Sequence, residues 1–277
     1  MPFADAEPLP PGEAERLREI LGVLARHGWR GIAARLGLDG DAGDDGATRR
    51  PEALVAALRD LGPVAVKLGQ ILATRSDLLE PEMIAALATL QDRMPPLPYP
   101  LVAPVIEQAL GAAPEALFAA FDPEPLAAAS IAQVHAAALA DGRRVVVKVR
   151  RPGTARTVET DIRLVRRLAR LAAARSPEVR RLRPDELLRQ FSDSLARELD
   201  LGAEARSAEE IGAFLAAMGV HTPAIAWELT GRLVNVQERI DGWPATDPQA
   251  AAAAGVDLGA AARLYAPAVL RILLFNG

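Results

Sequence analysis

Apolar residues recur at helical spacing through most of the first 110 positions of the chain. Between Glu13 and Leu38 they lie three or four residues apart, with two glycines interrupting, which predicts a kinked helix or a helical hairpin. The stretch 38–50 is rich in glycine and aspartate and predicts a linker. Further helices are predicted at about 51–61, 63–75, 80–91 and 101–110.

The pattern changes after Phe121, where short alternating runs and β-branched residues begin. Residues 130–139 alternate weakly, and 145–149 is the most β-branched run of the chain. Because Asp141-Gly142 between them is a strong turn signal, we expect a β-hairpin. The other predicted elements are strands at 223–228 and 232–240 and helices at 161–175, 184–218 with a break near Gly202, and 247–275.

Composition and charge narrow the possible functions. The chain has 277 residues, half of them apolar, which is enough for a sizeable core, and its net charge of -4 disfavours a general nucleic-acid binder. The sequence has no cysteine, which excludes disulfides and thiolate sites, and its three histidines are too widely spaced to favour a metal cage. Met1–Gly12 does not resemble a signal peptide and no apolar run is long enough to span a bilayer, so we expect a soluble cytoplasmic protein or one peripheral on the inner membrane.

Lys148 is the first candidate for a functional residue, because it stands between Val147 and Val149 in a predicted strand. A lysine buried there is costly unless an anion meets it, and nucleotide phosphates or a helix carboxylate would serve. An unpaired lysine on an edge strand is the alternative. The candidate partners are acids that would otherwise be ordinary surface residues: Glu198, Asp200 and Glu204.

Four sequence motifs follow one another across residues 60–205. They are Gly62-Pro-Val-Ala-Val-Lys-Leu-Gly-Gln70 with Thr74-Arg-Ser-Asp77, Ala127-Ala-Ala-Ser-Ile-Ala-Gln-Val-His135, Val146-Val-Lys-Val-Arg-Arg-Pro-Gly153, and Glu198-Leu-Asp200 with Glu204. In this order they resemble the KxGQ segment, the alanine-rich loop, the β3 lysine strand and the ExD motif of the UbiB/AarF family of atypical protein-kinase-like proteins. Four motifs in order are a far more specific signal than any one of them alone.

The resemblance implies that Lys148 binds the α- and β-phosphates of ATP or ADP and pairs with Glu204, as in protein kinases. It also implies further nucleotide contacts from the alanine-rich loop and from the hinge between lobes. These residues are Ala127, Ala128, Ala129, Ser130, Glu238 and Ile240. Because alanine reaches positive φ less easily than glycine, we expect this loop to be stiffer than a glycine-rich one.

A regulatory contact is implied as well, in which Lys67 and Gln70 fold over the active site and meet Glu198 and Asp200. Residues three apart on a helix share a face, so Lys67 and Gln70 are able to reach one target. Without the resemblance, Lys67 would be interpreted as a lysine whose stem lies on an apolar helix while its charge reaches solvent.

The implied fold class is α+β: a protein-kinase-like N-lobe, an all-helical extension before it and the start of a helical C-lobe after it. The segments are expected at 1–50 (N-terminal helical segment and linker), 51–120 (KxGQ extension), 121–242 (N-lobe) and 243–277 (start of the C-lobe). The catalytic loop and the Mg²⁺ ligands are expected beyond Gly277, so the chain alone is expected to be inactive.

The implied function is that of an atypical kinase or ATPase that supports ubiquinone-type quinone biosynthesis at the membrane. The implied partners are the nucleotide, isoprenoid or quinone precursors, anionic membrane lipids and quinone-biosynthesis proteins, with no nucleic acid. The alternative function is a non-catalytic lipid-binding or scaffold module that nucleotide gates. The arginine-rich helix at 161–175 also keeps two interpretations, a solvated face or a surface for anionic lipid.

Overall fold

The structure is a computed structural model that describes residues 10–28, 51–74, 76, 79–90, 94–175, 177–181, 183–243, 245 and 247–275. The second half of the predicted helical hairpin and the predicted linker lie outside these residues, as do Asp77 of the first motif and Gly277.

Helices and one sheet make up the described part of the chain. The helices are α1 (Pro11–Arg26), α2 (Pro51–Leu61), α3 (Pro63–Ala73), α4 (Pro81–Leu87), α5 (Tyr99–Leu110), α6 (Pro114–Leu117), α7 (Thr154–Arg175), α8 (Pro177–Arg181), α9 (Pro184–Glu198), α10 (Leu201–Ala216), α11 (Pro248–Ala253) and α12 (Leu258–Phe275). The strands are β1 (Ala120–Ala128), β2 (Ala132–Ala138), β3 (Arg144–Arg150) and β4 (Val234–Glu238). The mixed α and β class predicted from the sequence is therefore confirmed.

The four strands form one sheet in the order β1-β2-β3-β4. β2 and β3 are the predicted hairpin and pair antiparallel, with Val134 opposite Lys148, and β4 pairs antiparallel with the other side of β3. The hairpin turn contains Gly142 at φ 87°, a left-handed conformation that glycine adopts at little cost. Asp141 accepts a hydrogen bond from the backbone N–H of Arg143 and fixes the turn.

The chain divides into two units. One consists of Met1–Pro95, Ala128–Ile131 and Pro152–Ala196, and we call it the helical unit. The other consists of Pro96–Ala127, Ala132–Arg151 and Arg197–Gly277, and we call it the sheet unit because it holds most of the sheet.

The helical unit has its own apolar cluster and a buried ion pair. Val55, Val66, Leu87 and Leu90 are buried together where α2, α3 and α4 meet. α1 packs against α7, where the Arg16 guanidinium donates from Nε to Oδ1 of Asp161 over 2.6 Å and from Nη2 to Oδ2 over 2.9 Å. This pair lies between the two helices.

The sheet unit has its core on one face of the sheet. Val145, Val147 and Val149 are buried on that face of β3. They pack in one cluster with α5, which contributes Val102 and Ile106. Lys148 and Arg150 lie on the opposite face of β3.

The structure adjusts several of the predicted elements. Residues 223–228 do not form a strand: only Ile225 bridges to Gln237, and Trp227–Leu229 form a single 3-10 turn. The break expected near Gly202 in the helix predicted at 184–218 lies at Asp200, which caps a new helix. The helix predicted at 80–91 is shorter, Pro81–Leu87.

Candidate functional site

Lys148 does not lie among the valines that flank it in sequence. Side chains of a strand alternate between its two faces. Val147 and Val149 therefore lie in the core, whereas Lys148 lies on the opposite face with 31% of its side chain exposed. Lys148 is therefore half-buried, and the pleat of the strand separates its side chain from the valines that flank it.

Glu204 on α10 is the partner of Lys148 in the structure. The Lys148 ammonium donates to Oε1 and to Oε2 of Glu204, both over 2.7 Å. The Glu204 side chain is 46% exposed, so solvent reaches the pair. An exposed pair contributes only about 0–1 kcal/mol to folding, so stability alone is a weak reason for this arrangement.

The first turn of α10 is fixed at the end of the sheet. Asp200 is the N-cap, and its Oδ1 accepts from the backbone N–H of Ala203 over 2.9 Å. The N–H of Leu201 donates to the carbonyl of Arg232 over 3.2 Å, just before β4. Glu204 is therefore one turn beyond a helix start that the adjoining segment holds in place.

Arg150 is a site residue that the sequence analysis missed. It lies two positions after Lys148 on the same face of β3, and its Nη1 donates to the carbonyl of Leu199 over 2.8 Å. This bond ties β3 to the residue that precedes the Asp200 cap. Burial lowers the pKa of the Arg150 guanidinium, and the nearby Arg232 lowers it further. Its position two residues from the candidate lysine in a predicted strand was the available signal.

The proposed hinge residues follow the last strand. Glu238 ends β4, and its Oε2 accepts from the backbone N–H of Ala224 over 3.2 Å and lies 2.9 Å from Nε2 of His221. The hydrogen bond from Ala224 and the contact with His221 lower the pKa of the Glu238 carboxyl. Ile240 is 49% exposed. The contact of this stretch with adenine stays a prediction.

The alanine-rich loop joins β1 to β2 and divides between the two units. Ala127 and Ala128 end β1, with Ala127 exposed, and Ala128 accepts a backbone hydrogen bond from Met94 over 3.0 Å. Ala129 is half-buried, and Ser130 is buried. Ala127 belongs to the sheet unit and the other three to the helical unit.

Lys67 and Gln70 lie on α3 in the helical unit, and both are half-buried. Gln70 Nε2 donates to the carbonyl of Leu90 over 2.9 Å. Between them, Gly69 is buried, and a Cβ at this position would meet the side chains of Leu58 and Leu90. The glycine of the motif is thus a packing requirement. The contact of Lys67 and Gln70 with Glu198 and Asp200, which are half-buried residues of the sheet unit, stays a prediction.

The rarity of lysine in this chain is a further sequence signal for Lys67 and Lys148. The chain has 32 lysines and arginines, and all but Lys67 and Lys148 are arginine. Lysine carries a compact ammonium on a flexible side chain, whereas arginine carries a planar guanidinium, so the two are not interchangeable at a specific site. The only lysines of the chain are those of the KxGQ and β3 motifs.

Three arginines of α7 are engaged within the helical unit. Arg163 donates to Glu13 over 2.9 Å, Arg166 to Ser192 over 3.0 Å and Arg170 to Asp185 over 3.1 Å. These bonds attach α1 and α9 to α7. They give these three arginines a structural role, and a surface for anionic lipid on this helix stays a prediction.

No helix within the described residues is both long and apolar enough to span a bilayer. No group of three or more His, Asp or Glu side chains in the described ranges is placed to hold a metal ion.

Comparison with known proteins identifies the family. Residues 89–277 match the ABC1 atypical kinase-like domain. The chain is 43% identical over 210 residues to the probable protein kinase UbiB of Marinobacter nauticus, covering 76% of this chain and 38% of that protein. It is 46% identical over 192 residues to the protein of the same name from Pseudomonas aeruginosa, covering 69% and 36%.

Among solved structures, the complex of Rv3197 with erythromycin from Mycobacterium tuberculosis is similar, with 28% identity and a TM-score of 0.44 over 69% of this chain and 48% of that one. The chain spans well under half the length of the curated relatives it matches. The domain match and the identities show that the chain belongs to the ABC1 family of atypical kinase-like proteins.

Proposed function

We propose that the chain is the nucleotide-binding part of an atypical kinase or ATPase of the UbiB type. The observation that carries the proposal is the Lys148–Glu204 pair, in which two hydrogen bonds of 2.7 Å fix an ammonium on the face of β3 opposite the core. A lysine held by a helix glutamate is the arrangement with which kinases bind nucleotide phosphates. The family match supports the same function.

The residues around the pair suit an anionic ligand. The Lys148 ammonium uses two of its three N–H groups on Glu204 and is reached by solvent, so a phosphate oxygen is able to bind without rearrangement of the pair. Because Glu204 orients the ammonium before the ligand arrives, less conformational freedom is lost on binding. ATP would supply the phosphoryl group, and the backbone after Glu238 would hold the adenine edge.

Mg²⁺ and the quinone pathway belong to the complete protein in this proposal. We assign no Mg²⁺ ligand to the described residues. A role in ubiquinone-type biosynthesis at a membrane, with isoprenoid or quinone precursors as partners, rests on the family resemblance alone.

Nucleotide-dependent thermal stabilisation of the chain tests the proposal. We expect ATP and ADP to raise the melting temperature of the unmodified chain, because a ligand that binds only the folded state stabilises it. Lys148→Ala should abolish this shift, since it removes the cation that meets the phosphates. The matched control is Arg143→Ala, which removes an exposed charge at the hairpin turn next to β3 and should leave the shift unchanged.

The outcomes separate the function from the site. No shift with the unmodified chain would contradict nucleotide binding. A shift that Lys148→Ala retains would leave nucleotide binding in place and refute the assignment of Lys148.

A second candidate function is a lipid-binding or scaffold module that nucleotide gates without turnover. Exposed apolar side chains along α12 favour it, since Tyr265, Leu273 and Leu274 are 68%, 65% and 74% exposed. Phosphate release by the full-length protein, with and without anionic liposomes, distinguishes the two functions. Release in either condition contradicts the second candidate, and its absence from both contradicts the first.

A further inference from the structure

Asn235 is a buried polar residue that neither the motifs nor the proposed function explains. It lies in the middle of β4, is only 1% exposed, and pairs directly opposite Lys148 across the sheet. Its neighbours in β4, Val234 and Val236, are buried on the core face. The alternation of the strand therefore places the Asn235 side chain on the same face as Lys148.

The amide of Asn235 is only partly satisfied. Its Nδ2 donates to Oε1 of Gln237 over 3.4 Å, at the long end for a hydrogen bond. Its Oδ1 is buried and accepts no hydrogen bond from the part of the chain that the structure describes. A buried acceptor without a donor costs about 1–3 kcal/mol, so such an atom in a folded protein requires an explanation.

Lys148 supplies the complementary group. Residues directly opposite each other in an antiparallel pair have Cβ atoms about 4.5–5.5 Å apart on the same face. The Lys148 ammonium has a third N–H beyond the two that bind Glu204. α10, which carries Glu204, packs against β4, so the ammonium and the amide lie under the same helix.

We propose that Asn235 positions the Lys148 ammonium. Its Oδ1 accepts a hydrogen bond from one bridging water, and that water accepts a hydrogen bond from the third N–H of the ammonium. A water at this place has an ammonium donor on one side and an amide acceptor on the other, the two polar partners that a buried water needs at minimum. Lys148 is then held by Glu204 from the helix and by Asn235 from the sheet.

This role differs from a merely structural one. If Asn235 were only a poorly satisfied buried residue, an apolar residue of the same shape would change stability alone and would not change Lys148. If Asn235 positions Lys148, the same substitution would alter the ammonium whatever it does to stability. The inference concerns the ammonium without ligand, so its test is independent of nucleotide binding.

The test is NMR of the chain with ¹⁵N-labelled lysine, in the absence of nucleotide. The spectrum contains only Lys67 and Lys148, and Lys67→Arg assigns the two signals. In Asn235→Leu we expect the Lys148 ammonium protons to exchange with water about five-fold faster, the ratio that one lost hydrogen bond gives. In Asn235→Asp, which keeps the shape and adds a charge, we expect slower exchange and a shifted Nζ signal.

Val134→Ala is the matched control, because Val134 is the other cross-strand neighbour of Lys148 and has no acceptor in its side chain. It should leave the exchange rate unchanged. Unchanged exchange in both Asn235 variants would overturn the inference, and so would equal acceleration in Val134→Ala. Asn235→Asp keeps the test decisive if Asn235→Leu does not fold.

Discussion

At the scale of single residues, the core face of the sheet carries a polar network beside its valines. Gln133 and His135 are buried on β2, and Gln133 clamps the segment before α5 by accepting from the N–H of Leu97 over 3.0 Å and donating to its carbonyl over 3.3 Å. His135 lies 2.8 Å from the Asp122 carbonyl through Nδ1 and 2.8 Å from Gln133 Nε2 through its own Nε2. Nδ1 must therefore donate and Nε2 accept, which requires neutral His135.

This network predicts a loss of stability in mild acid. Burial lowers the pKa of His135 below its ordinary value of 6.5. Because the unfolded chain takes up a proton at His135 near that pH and the folded protein does not, the contribution of His135 to the free energy of unfolding should be constant above about pH 6.5 and decrease below it. The slope due to one group is at most about 1.4 kcal/mol per pH unit, measurable by urea unfolding.

Substitution of histidines isolates this contribution. His135→Gln should reduce the decrease in unfolding free energy between about pH 6.5 and about pH 5.5. His221→Gln, which changes an exposed histidine of the same unit, should not affect the part due to His135. An equal pH dependence in His135→Gln and the unmodified chain would show that the network does not cause it.

At the scale of elements, the contact of α1 with α7 depends on Arg16. Both oxygens of Asp161 bind its guanidinium, and the Asp161 side chain is only 6% exposed. Arg16→Ala would leave this carboxylate buried without its partner, so we expect a loss of about 3–5 kcal/mol in chemical denaturation. Arg18→Ala, an exposed change on the same helix, should stay within about 0.5 kcal/mol of the unmodified chain. Similar losses in both variants would contradict a specific role for the pair.

Asp200 has a structural role as the N-cap of α10 and an implied regulatory role in the ExD motif, and two substitutions separate these roles. Asp200→Ala removes the acceptor for the Ala203 N–H and should lower the free energy of unfolding by about 1 kcal/mol. Asp200→Asn keeps a capping oxygen and should retain that stability while removing the charge that the ExD resemblance assigns to regulation. The measurement is thermal unfolding of the two variants, compared with that of the unmodified chain. An asparagine variant as unstable as the alanine variant would show that the charge, not the cap, stabilises this helix start.

At the scale of the whole molecule, the β-hairpin was predictable from its alternating and β-branched runs and from its Asp-Gly turn. The Lys148–Glu204 pair was implied by the resemblance that the four ordered motifs carry. β1 was missed because Pro123 and Pro125 interrupt it, and proline is tolerated there only because β1 is an edge strand. Asn235 and Arg150 were missed for another reason. The importance of Asn235 depends on the residue opposite it in β3, and that of Arg150 depends on the nearby carbonyl of Leu199. Neither contact is predictable from the local sequence.

The charge of the whole chain leads to a prediction about nucleic acids. With a net charge of -4, the chain lacks the cationic excess that binds phosphate backbones. We expect no binding of a fluorescently labelled DNA duplex at about 150 mM salt, as measured by anisotropy. Micromolar binding under these conditions would contradict the prediction.

The alternation of β3 separates two kinds of genetic defect within one short segment. In a saturation library of residues 144–150, polar substitutions at Val145, Val147 and Val149 should reduce the amount of folded protein, because these side chains fill the core. Substitutions at Lys148 should leave abundance nearly intact and affect only what the folded protein does. Along β3, the positions at which substitution lowers abundance would then alternate with the position at which substitution lowers activity alone.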